Sequence, residues 1–227
     1  GTRWLFKPPK DPKDGFLATL DEAASRFQAR VGLKAPDTYV VTLGGKRGSI
    51  QRMFPASDGF PNGFRPTDLK GHDLDLVQRE HALDWLIANH DGHRDQFLRL
   101  EDGSMVGIDK GQAFRWFGQD SLDWDFHPNA AYGAPEPVYN ALWRAFARGE
   151  DVDLDPPGQG ALWDQIKTIQ AIPDDELRDL FRGYAEQAAA YDEIMTTVDD
   201  AAPGFFFIDG PGGAGKTNLY EALLHAT

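Results

Sequence analysis

The chain has 227 residues, of which 41% are hydrophobic, and this is enough apolar side chain to bury a core in one large domain or two small ones. With 36 acidic against 23 basic side chains the formal net charge is -13, which argues against a basic protein that coats duplex nucleic acid. The absence of cysteine excludes a disulfide scaffold, a thiolate metal site and a thiol nucleophile. No apolar run approaches the roughly 20 residues that span a bilayer and no signal peptide opens the sequence, so we expect an intracellular, cytoplasmic protein with no membrane span.

The charge is unevenly distributed along the chain. Residues 1–70 carry 12 basic and 7 acidic side chains, a net of +5, whereas residues 71–227 carry 11 basic and 29 acidic ones, a net of -18. This asymmetry fits two unlike lobes that hold an anionic ligand or metal ions between them. It equally fits a solvated surface whose charge is uneven.

Hydrophobic periodicity predicts short strands and amphipathic helices in alternation. β-Branched and aromatic runs indicate the strands, apolar residues at three- and four-residue spacing indicate the helices, and Pro- and Gly-rich stretches separate them. In the best-defined helix we expect Leu76, Val77 and Leu83 to lie on the buried face and Asp84 to point away from it. The predicted elements are a strand over 3–7, a helix over 18–30, strands over 39–43 and 49–54, a connection over 55–73, the helix over 74–88, strands over 97–100 and 105–108, a loop over 149–160, and helices over 161–171 and from 173 to about 190.

A polar segment follows the helix over 74–88 and leads into a tight hairpin. Asp91 precedes the first strand of this hairpin and Asp109 follows the second. Because a hairpin returns the chain beside its own start at about 5 Å strand spacing, the two carboxylates can share one site. A carboxylate can take a proton from a reacting group, and a carboxylate with the amide oxygen of Gln96 can hold Mg²⁺ on nucleotide phosphates. This order of residues is the catalytic layout of kinase-like phosphotransferases.

Two runs of sequence carry a resemblance to known kinases. The run LDWLIANHDGHRDQFLRLEDGSMVGIDKGQAF, residues 83–114, resembles the catalytic segment of phosphoinositide-kinase-like and HipA-like kinases, and more closely that of kinase-like proteins of phages and actinobacteria. The run WLFKP, residues 4–8, is similar to their small-lobe strand with its phosphate-contacting lysine. The resemblance covers residues 3–184 and implies an α+β, two-lobed, protein-kinase-like fold.

The resemblance also implies roles for individual residues. It makes Lys7 the contact to the nucleotide phosphates and Glu22, on the following helix, the carboxylate partner of that lysine. In the catalytic segment, Gly92 stands where the family usually has Arg, and Gln96 where it usually has Asn. The implied roles there are Asp91 as catalytic base, His93 as the histidine that shapes the loop, and Gln96 and Asp109 as ligands of Mg²⁺.

Each of these residues also has a structural interpretation. Lys7 can be a surface lysine, Glu22 an exposed helix residue, and Asp91 a residue that tightens a turn. His90 and His93 also suggest a zinc or iron site of a metal-dependent hydrolase, although no third histidine lies at suitable spacing nearby. A predicted acidic loop follows the catalytic segment and contains Asp120, Asp123 and Asp125 with Trp116 and Trp124. Such a loop is most often a solvated face, and it can also lie near a second metal ion.

The C-terminal part carries a separate phosphate-binding pattern. A buried strand over 205–209 is followed by GPGGAGKT, which satisfies G-x-x-x-x-G-K-[S/T] between a strand and a helix. In this pattern backbone N–H groups of the glycines wrap phosphates at a helix N-terminus. Residues 191–227 closely resemble the opening of DNA helicases of the petite-integration-frequency family. The implied binding residues are Gly210, Gly212, Gly213 and Gly215, with Lys216 at the β- and γ-phosphates and Thr217 on Mg²⁺.

The sequence therefore predicts a small nucleotide lobe over 1–54, truncated at its start, a helical large lobe with the catalytic hairpin over 55–185, and a P-loop fragment over 186–227. We expect an ATP- and Mg²⁺-dependent, kinase-like phosphotransferase whose acceptor is a protein or a small molecule. The alternatives are the N-terminal fragment of an ATP-dependent DNA helicase, for which DNA would be a partner, and a non-catalytic phage assembly module with a kinase shape. The joining of the two parts fits either a truncated fusion or an assembly artefact, with both ends cut.

Overall fold

The computed structural model of the chain describes residues 2–10, 15–58, 60, 65–89, 91–114, 137–156 and 158–185. These residues combine antiparallel sheets with helices, in agreement with the predicted α+β composition. Residues 174–185 are also helical. The other elements are, in chain order, β1 (Trp4–Lys7), α1 (Leu17–Arg30), β2 (Thr38–Leu43), β3 (Lys46–Arg52), β4 (Ala56–Asp58), α2 (Gly71–Leu86), β5 (Phe97–Leu100), β6 (Met105–Gly107), α3 (Val138–Ala147) and α4 (Gly160–Gln170).

The first sheet has the order β1-β3-β2, and both of its strand pairs are antiparallel. The turn between β2 and β3 consists of Gly44 and Gly45, both at positive φ, which glycine adopts without the strain that a side chain would add. The shorter turn lets β3 begin at Lys46, three residues before the predicted start at 49. Lys7 ends β1 opposite Ser49, so the register fixes where the lysine leaves the sheet.

The second sheet has the order β4-β5-β6 and contains the predicted hairpin. The strands of the hairpin, β5 and β6, lie where the sequence predicts them, with Phe97 opposite Gly107. The prediction of a plain connection over 55–73 was wrong, because β4 pairs with β5 inside it and α2 already begins at Gly71. The three residues of β4 are too few for a periodic signal, which explains the error.

Helices cover these sheets and enclose the apolar core. α1 packs on β2 and β3, whereas α2 packs against β6, α3 and α4. Phe181 joins two parts of the core, because its ring makes edge contacts with Phe27 of α1 at 5.6 Å and with Phe114 at 5.4 Å between centroids. α3 was not predicted, although Tyr139, Leu142 and Ala145 show the helical spacing of its buried face.

One prediction for α2 was wrong. Asp84 was expected to point away from the buried face, but it is only 5% exposed. Its Oδ1 accepts a hydrogen bond of 2.7 Å from Lys110 Nζ. The charged partner lies 26 residues further along the chain, so the helical pattern could not reveal it.

No helix in the described ranges is long and apolar enough to cross a bilayer. The predicted acidic loop at 116–125 and the predicted phosphate-binding loop at 210–217 both lie outside the described residues.

Candidate active site

The candidate site begins with an ion pair between the two sheets. Lys7 Nζ donates a hydrogen bond of 2.7 Å to Asp109 Oδ1, and 102 residues separate the two along the chain. Lys7 ends β1, and Asp109 follows β6 by two residues. The side chain of Asp109 is 41% exposed, so its carboxylate remains accessible to a ligand.

The second carboxylate beside Lys7 belongs to Asp21 of α1. Asp21 Oδ2 lies 3.8 Å from Lys7 Nζ and accepts a hydrogen bond of 2.5 Å from the Ser49 hydroxyl. Burial raises the pKa of Asp21 above its ordinary value, and the Lys7 ammonium and the Ser49 hydroxyl offset part of that effect. The carboxylate that we expected beside Lys7 was Glu22. The structure has Asp21 there instead. Asp21 shares the buried face of α1 with Ala24 and Gln28, and this face is directed toward Lys7.

The segment before the hairpin orders a third carboxylate, Asp91. Gln96 Nε2 donates to Asp91 Oδ2 at 3.0 Å, and His93 Nε2 lies 3.3 Å from Asp91 Oδ1. His93 Nδ1 accepts from the backbone N–H of Asp95 at 3.2 Å, so in the neutral ring Nε2 carries the proton and faces Asp91. The side chains of His93 and Gln96 therefore both converge on the carboxylate of Asp91.

Backbone hydrogen bonds hold the two ends of the hairpin together. The N–H of Ile108 donates to the carbonyl of Gln96 at 2.8 Å, which brings Gln96 to the end of β6 that carries Asp109. The N–H of Phe114 donates to the carbonyl of Ile87 at 2.8 Å, and this bond ties the segment after Asp109 to the end of α2. Both sides of the hairpin base are thus anchored.

Three residues around this base have the left-handed backbone conformation that side chains rarely adopt. They are Ala88 at φ 49°, Asp109 at φ 56° and Phe114 at φ 55°. Such conformations cost of order 1 kcal/mol or more each, and they persist where the surroundings hold the backbone in place. Strain of this kind often accompanies functional sites, and here one of the three residues is a candidate ligand of the metal.

A buried cluster of charges lies beneath the site. Lys110 Nζ is 2.7 Å from Asp84 Oδ1 and 2.9 Å from Glu80 Oε2, and all three side chains are buried. Burial lowers the pKa of Lys110, but Asp84 and Glu80 together raise it above its usual value. Burial also raises the pKa of Glu80, against the opposing effect of the Lys110 ammonium. Lys110 therefore remains charged.

One departure from the kinase pattern, Gly92, lies against this cluster. A Cβ atom on Gly92 would lie 3.0 Å from Asp84 Oδ2, closer than an ordinary contact. A larger residue at 92, such as the Arg that the resemblance implies, therefore requires the Asp84 carboxylate to give way by a few tenths of an ångström. The absence of a side chain at Gly92 leaves room for the buried carboxylate of Asp84.

Sequence reasoning missed four residues of this region, all polar and buried. Asp21 and Glu80 lie in helical phase with apolar neighbours, and a polar residue on an apolar stripe is the signal that could have found them. Lys110 carries no such signal, because its two partners are distant in sequence. The missed residues are Asp21, Gln28, Glu80 and Lys110.

Several predicted site residues lie outside the described part of the chain. They are His90 and the whole phosphate-binding loop with Lys216 and Thr217. Among the described residues, no group of three or more His, Asp or Glu side chains is arranged to hold a metal ion. Gln96 and Asp109, the two ligands predicted for Mg²⁺, lie at the base of one hairpin, as described above.

Comparisons with known proteins give little further information. No model of a known protein family matches the chain, and no curated protein matches it either. One similar solved structure is that of CtkA, a proinflammatory kinase of Helicobacter pylori, with a TM-score of 0.41 and 14% sequence identity over 98% of this chain and 86% of that one. This neighbour is a kinase, but a TM-score below 0.5 does not establish a shared fold.

Proposed function

We propose that the chain is a kinase-like phosphotransferase that binds Mg-ATP between the lobe over 1–54 and the lobe over 55–185, and transfers the γ-phosphoryl group to an acceptor. The observation that carries this proposal is the contact between Lys7 and Asp109, at 2.7 Å. It joins a cation suited to phosphates with a carboxylate suited to Mg²⁺. Asp91, the candidate base, belongs to the other end of the same hairpin.

The residues present fit Mg-ATP in their chemistry. Mg²⁺ prefers a few oxygen ligands and keeps several waters, and it commonly binds one or two carboxylates together with substrate phosphates. Asp109 supplies a half-exposed carboxylate, and Gln96, which donates to Asp91 through Nε2, retains its Oε1 as an oxygen ligand. Asp21 has a buried Oδ1 without a hydrogen-bond partner among the described residues, so this oxygen is left to accept from a bound ligand.

When bound, Mg²⁺ would neutralise charge on the transferred phosphoryl group. Lys7 would hold the nucleotide phosphates, and Asp21 would fix the lysine from the side of α1. Asp91 would accept the proton of the acceptor hydroxyl at its carboxylate, while His93 and Gln96 keep that carboxylate in place. Gln96 and Asp109 would be the protein ligands of the metal.

Single-turnover transfer from γ-labelled ATP to a panel of proteins and small hydroxyl compounds tests this proposal on the full chain. We expect Asp91→Asn and Asp109→Asn each to reduce transfer at least about 100-fold, because the first removes the proposed base and the second a proposed ligand of Mg²⁺. Lys216→Ala should leave transfer unchanged. Transfer that survives both Asp substitutions contradicts the proposal.

The phosphate-binding pattern at 210–217 supports a second candidate, ATP hydrolysis by a helicase fragment. The same variants separate the two functions. If Lys216→Ala alone abolishes nucleotide binding, whereas Lys7→Met leaves it intact, the nucleotide belongs to the C-terminal pattern and the kinase proposal fails. A chain that binds no nucleotide at either place leaves only the assembly-module alternative.

A further inference from the structure

The residue after Asp109 is a lysine whose side chain is turned into the protein. Lys110 is 3% exposed, and its Nζ contacts Asp84 at 2.7 Å and Glu80 at 2.9 Å, both on α2. Asp109 and Lys110 are consecutive, yet one side chain points to the candidate ligand site and the other to the interior. The short segment between β6 and Phe114 is therefore fastened to α2 at the residue next to the proposed metal ligand.

Stability alone does not account for this cluster. Three buried charges are costly to dehydrate, and apolar side chains of similar volume are often as stabilising or more so. What a buried charge pair provides instead is a defined geometry, because an alternative arrangement leaves a charge without its partner. The geometry fixed here is that of the chain on either side of Lys110.

The two acidic partners extend the cluster to other parts of the site. Asp84 Oδ1 also accepts a hydrogen bond of 2.8 Å from Asn89 Nδ2, two residues before Asp91. Asp84 Oδ2 lies against Gly92, the residue after Asp91, as described above. Through Asp84, then, the ammonium of Lys110 is connected to both sides of the candidate base.

Glu80 makes the corresponding connection to α1 and β6. Gln28 Nε2 donates to Glu80 Oε1 at 2.9 Å and to the carbonyl of Gly107 at 2.8 Å. The Cα of Gly107 packs against the Glu80 carboxylate so closely that an added Cβ would lie 2.6 Å from it. Glu80 thus links Lys110 to α1, the helix of Asp21, and to the strand that leads to Asp109.

We propose that Lys110 is a positioning residue. It holds Asp109 in its left-handed backbone conformation and fixes its position relative to Asp91, so that the carboxylate of Asp109 can bind Mg²⁺. This inference rests on the proposed function. Lys110 touches no reacting atom and acts through the Asp109 backbone and through Asp84. Its contribution is to metal binding by Asp109, and nucleotide contact through Lys7 does not depend on it.

The test uses the full chain, with Mn²⁺ as a paramagnetic substitute for Mg²⁺ and the β,γ-imido analogue of ATP as the nucleotide. Lys110→Met combined with Glu80→Gln and Asp84→Asn removes the whole charge cluster and leaves no buried charge unpaired. Lys110→Arg keeps the charge, and with it folding, but its larger head group displaces the 109–111 backbone. Lys70→Met is the matched control, since Lys70 pairs with Asp151 at the surface.

We expect the folded triple variant and Lys110→Arg to bind the metal-free nucleotide analogue within about threefold of wild type and to bind Mn²⁺ about 10-fold to 100-fold more weakly, the usual effect of losing support behind a ligand. In phosphoryl transfer, the Mg²⁺ concentration that gives the half-maximal rate should rise by about the same factor, because metal and nucleotide bind together. Lys70→Met should match wild type in both. A purely structural role would lower the folded fraction without changing the Mn²⁺ affinity of the molecules that remain folded.

Wild-type Mn²⁺ affinity in either folded variant overturns the inference. Asp109→Asn separates this failure from that of the proposed function. If Asp109→Asn loses Mn²⁺ and the Lys110 variants do not, only the positioning role is wrong. If Asp109→Asn binds Mn²⁺ as the wild type does, Asp109 is not the metal ligand and the proposed function fails with it.

Discussion

Lys7 and Asp109 are 102 residues apart in sequence, and their side chains meet at 2.7 Å. The contact connects the last residue of β1 to the segment that follows β6, and so relates the two small sheets through one ion pair. Asp21 of α1 approaches the same ammonium at 3.8 Å. One cation thus lies between two carboxylates, of which one is buried and the other half-exposed.

This arrangement predicts the effect of removing the cation. Lys7→Met should weaken binding of Mg-ATP at least about tenfold, since a charge-assisted hydrogen bond contributes roughly 1.5–3 kcal/mol. Lys10→Met, in the exposed loop that follows β1, is the matched control and should bind normally. Calorimetric titration with the ATP analogue and Mg²⁺ measures both. Equal affinities for the two variants would contradict a phosphate contact by Lys7.

Two neighbouring residues of α1 should differ sharply in their importance. Asp21→Asn removes the carboxylate that lies beside Lys7 and should reduce kcat/KM for ATP roughly tenfold or more. Glu22→Gln, one residue further along and only partly buried, should change it less than about twofold. The two values come from one steady-state assay at saturating acceptor. A larger loss at Glu22 than at Asp21 would reverse the assignment of the partner.

The contrast between Asp21 and Glu22 shows what the sequence could and could not predict. The hairpin over β5 and β6 and the position of Asp109 after it follow from local pattern and turn chemistry, and the structure has them in place. Asp21 and Glu22 point about 100° apart around α1, and Asp21 is the one in helical phase with the apolar stripe, a signal that the resemblance did not use. The resemblance to a kinase pattern suggested Glu22 on this helix, whereas the carboxylate beside Lys7 in the structure is that of Asp21.

The buried cluster could not be predicted for a different reason. Asp84 and Lys110 belong to separate elements, and each taken alone is a charged residue that normally faces solvent. Only the packing of β6 against α2 brings them together. β4 was missed because three residues give no period, and α3 was missed although its spacing was present in the sequence.

Acid should destabilise the fold through His81. Its ring stacks on Tyr139 with centroids 4.0 Å apart, and burial, helped by the Lys110 ammonium, lowers the pKa of His81 to about 3. The unfolded chain, with an ordinary histidine pKa near 6.5, binds more protons below that pH, so stability falls as the pH drops from about 6.5 toward 3. Between pH 7 and pH 5 this effect amounts to about 2 kcal/mol.

The matched variant is His81→Phe, which keeps an aromatic ring against Tyr139 and cannot be protonated. Urea unfolding at pH 7 and at pH 5 gives the loss of stability for each protein. The wild type should lose about 2 kcal/mol more than the variant over this interval. Carboxylates contribute equally to both proteins, so identical losses would show that His81 is not held neutral by the fold.

Two glycines should respond to alanine in opposite directions. Gly107→Ala places a methyl group 2.6 Å from the Glu80 carboxylate and should destabilise the protein by about 1–3 kcal/mol. Gly183 lies in the helical segment 174–185, where a new Cβ would meet no described atom within 4 Å beyond its own helix backbone, so Gly183→Ala should stabilise by roughly 0.5–1 kcal/mol. Thermal unfolding of both variants measures the difference. A neutral Gly107→Ala would mean that β6 and α2 are not packed this closely.

The amide of Gln28 has a consequence for how the protein moves. It is fully buried on α1, seven residues and two turns after Asp21, and its Nε2 reaches Glu80 of α2, the carbonyl of Gly107 and, at 3.1 Å, the carbonyl of Lys34. A swing of α1 that carried Asp21 away from Lys7 would break these hydrogen bonds together and leave polar groups unsatisfied in the interior. Displacement of α1 therefore costs several buried hydrogen bonds at once, and we expect α1 to stay in place while ligands come and go at Lys7.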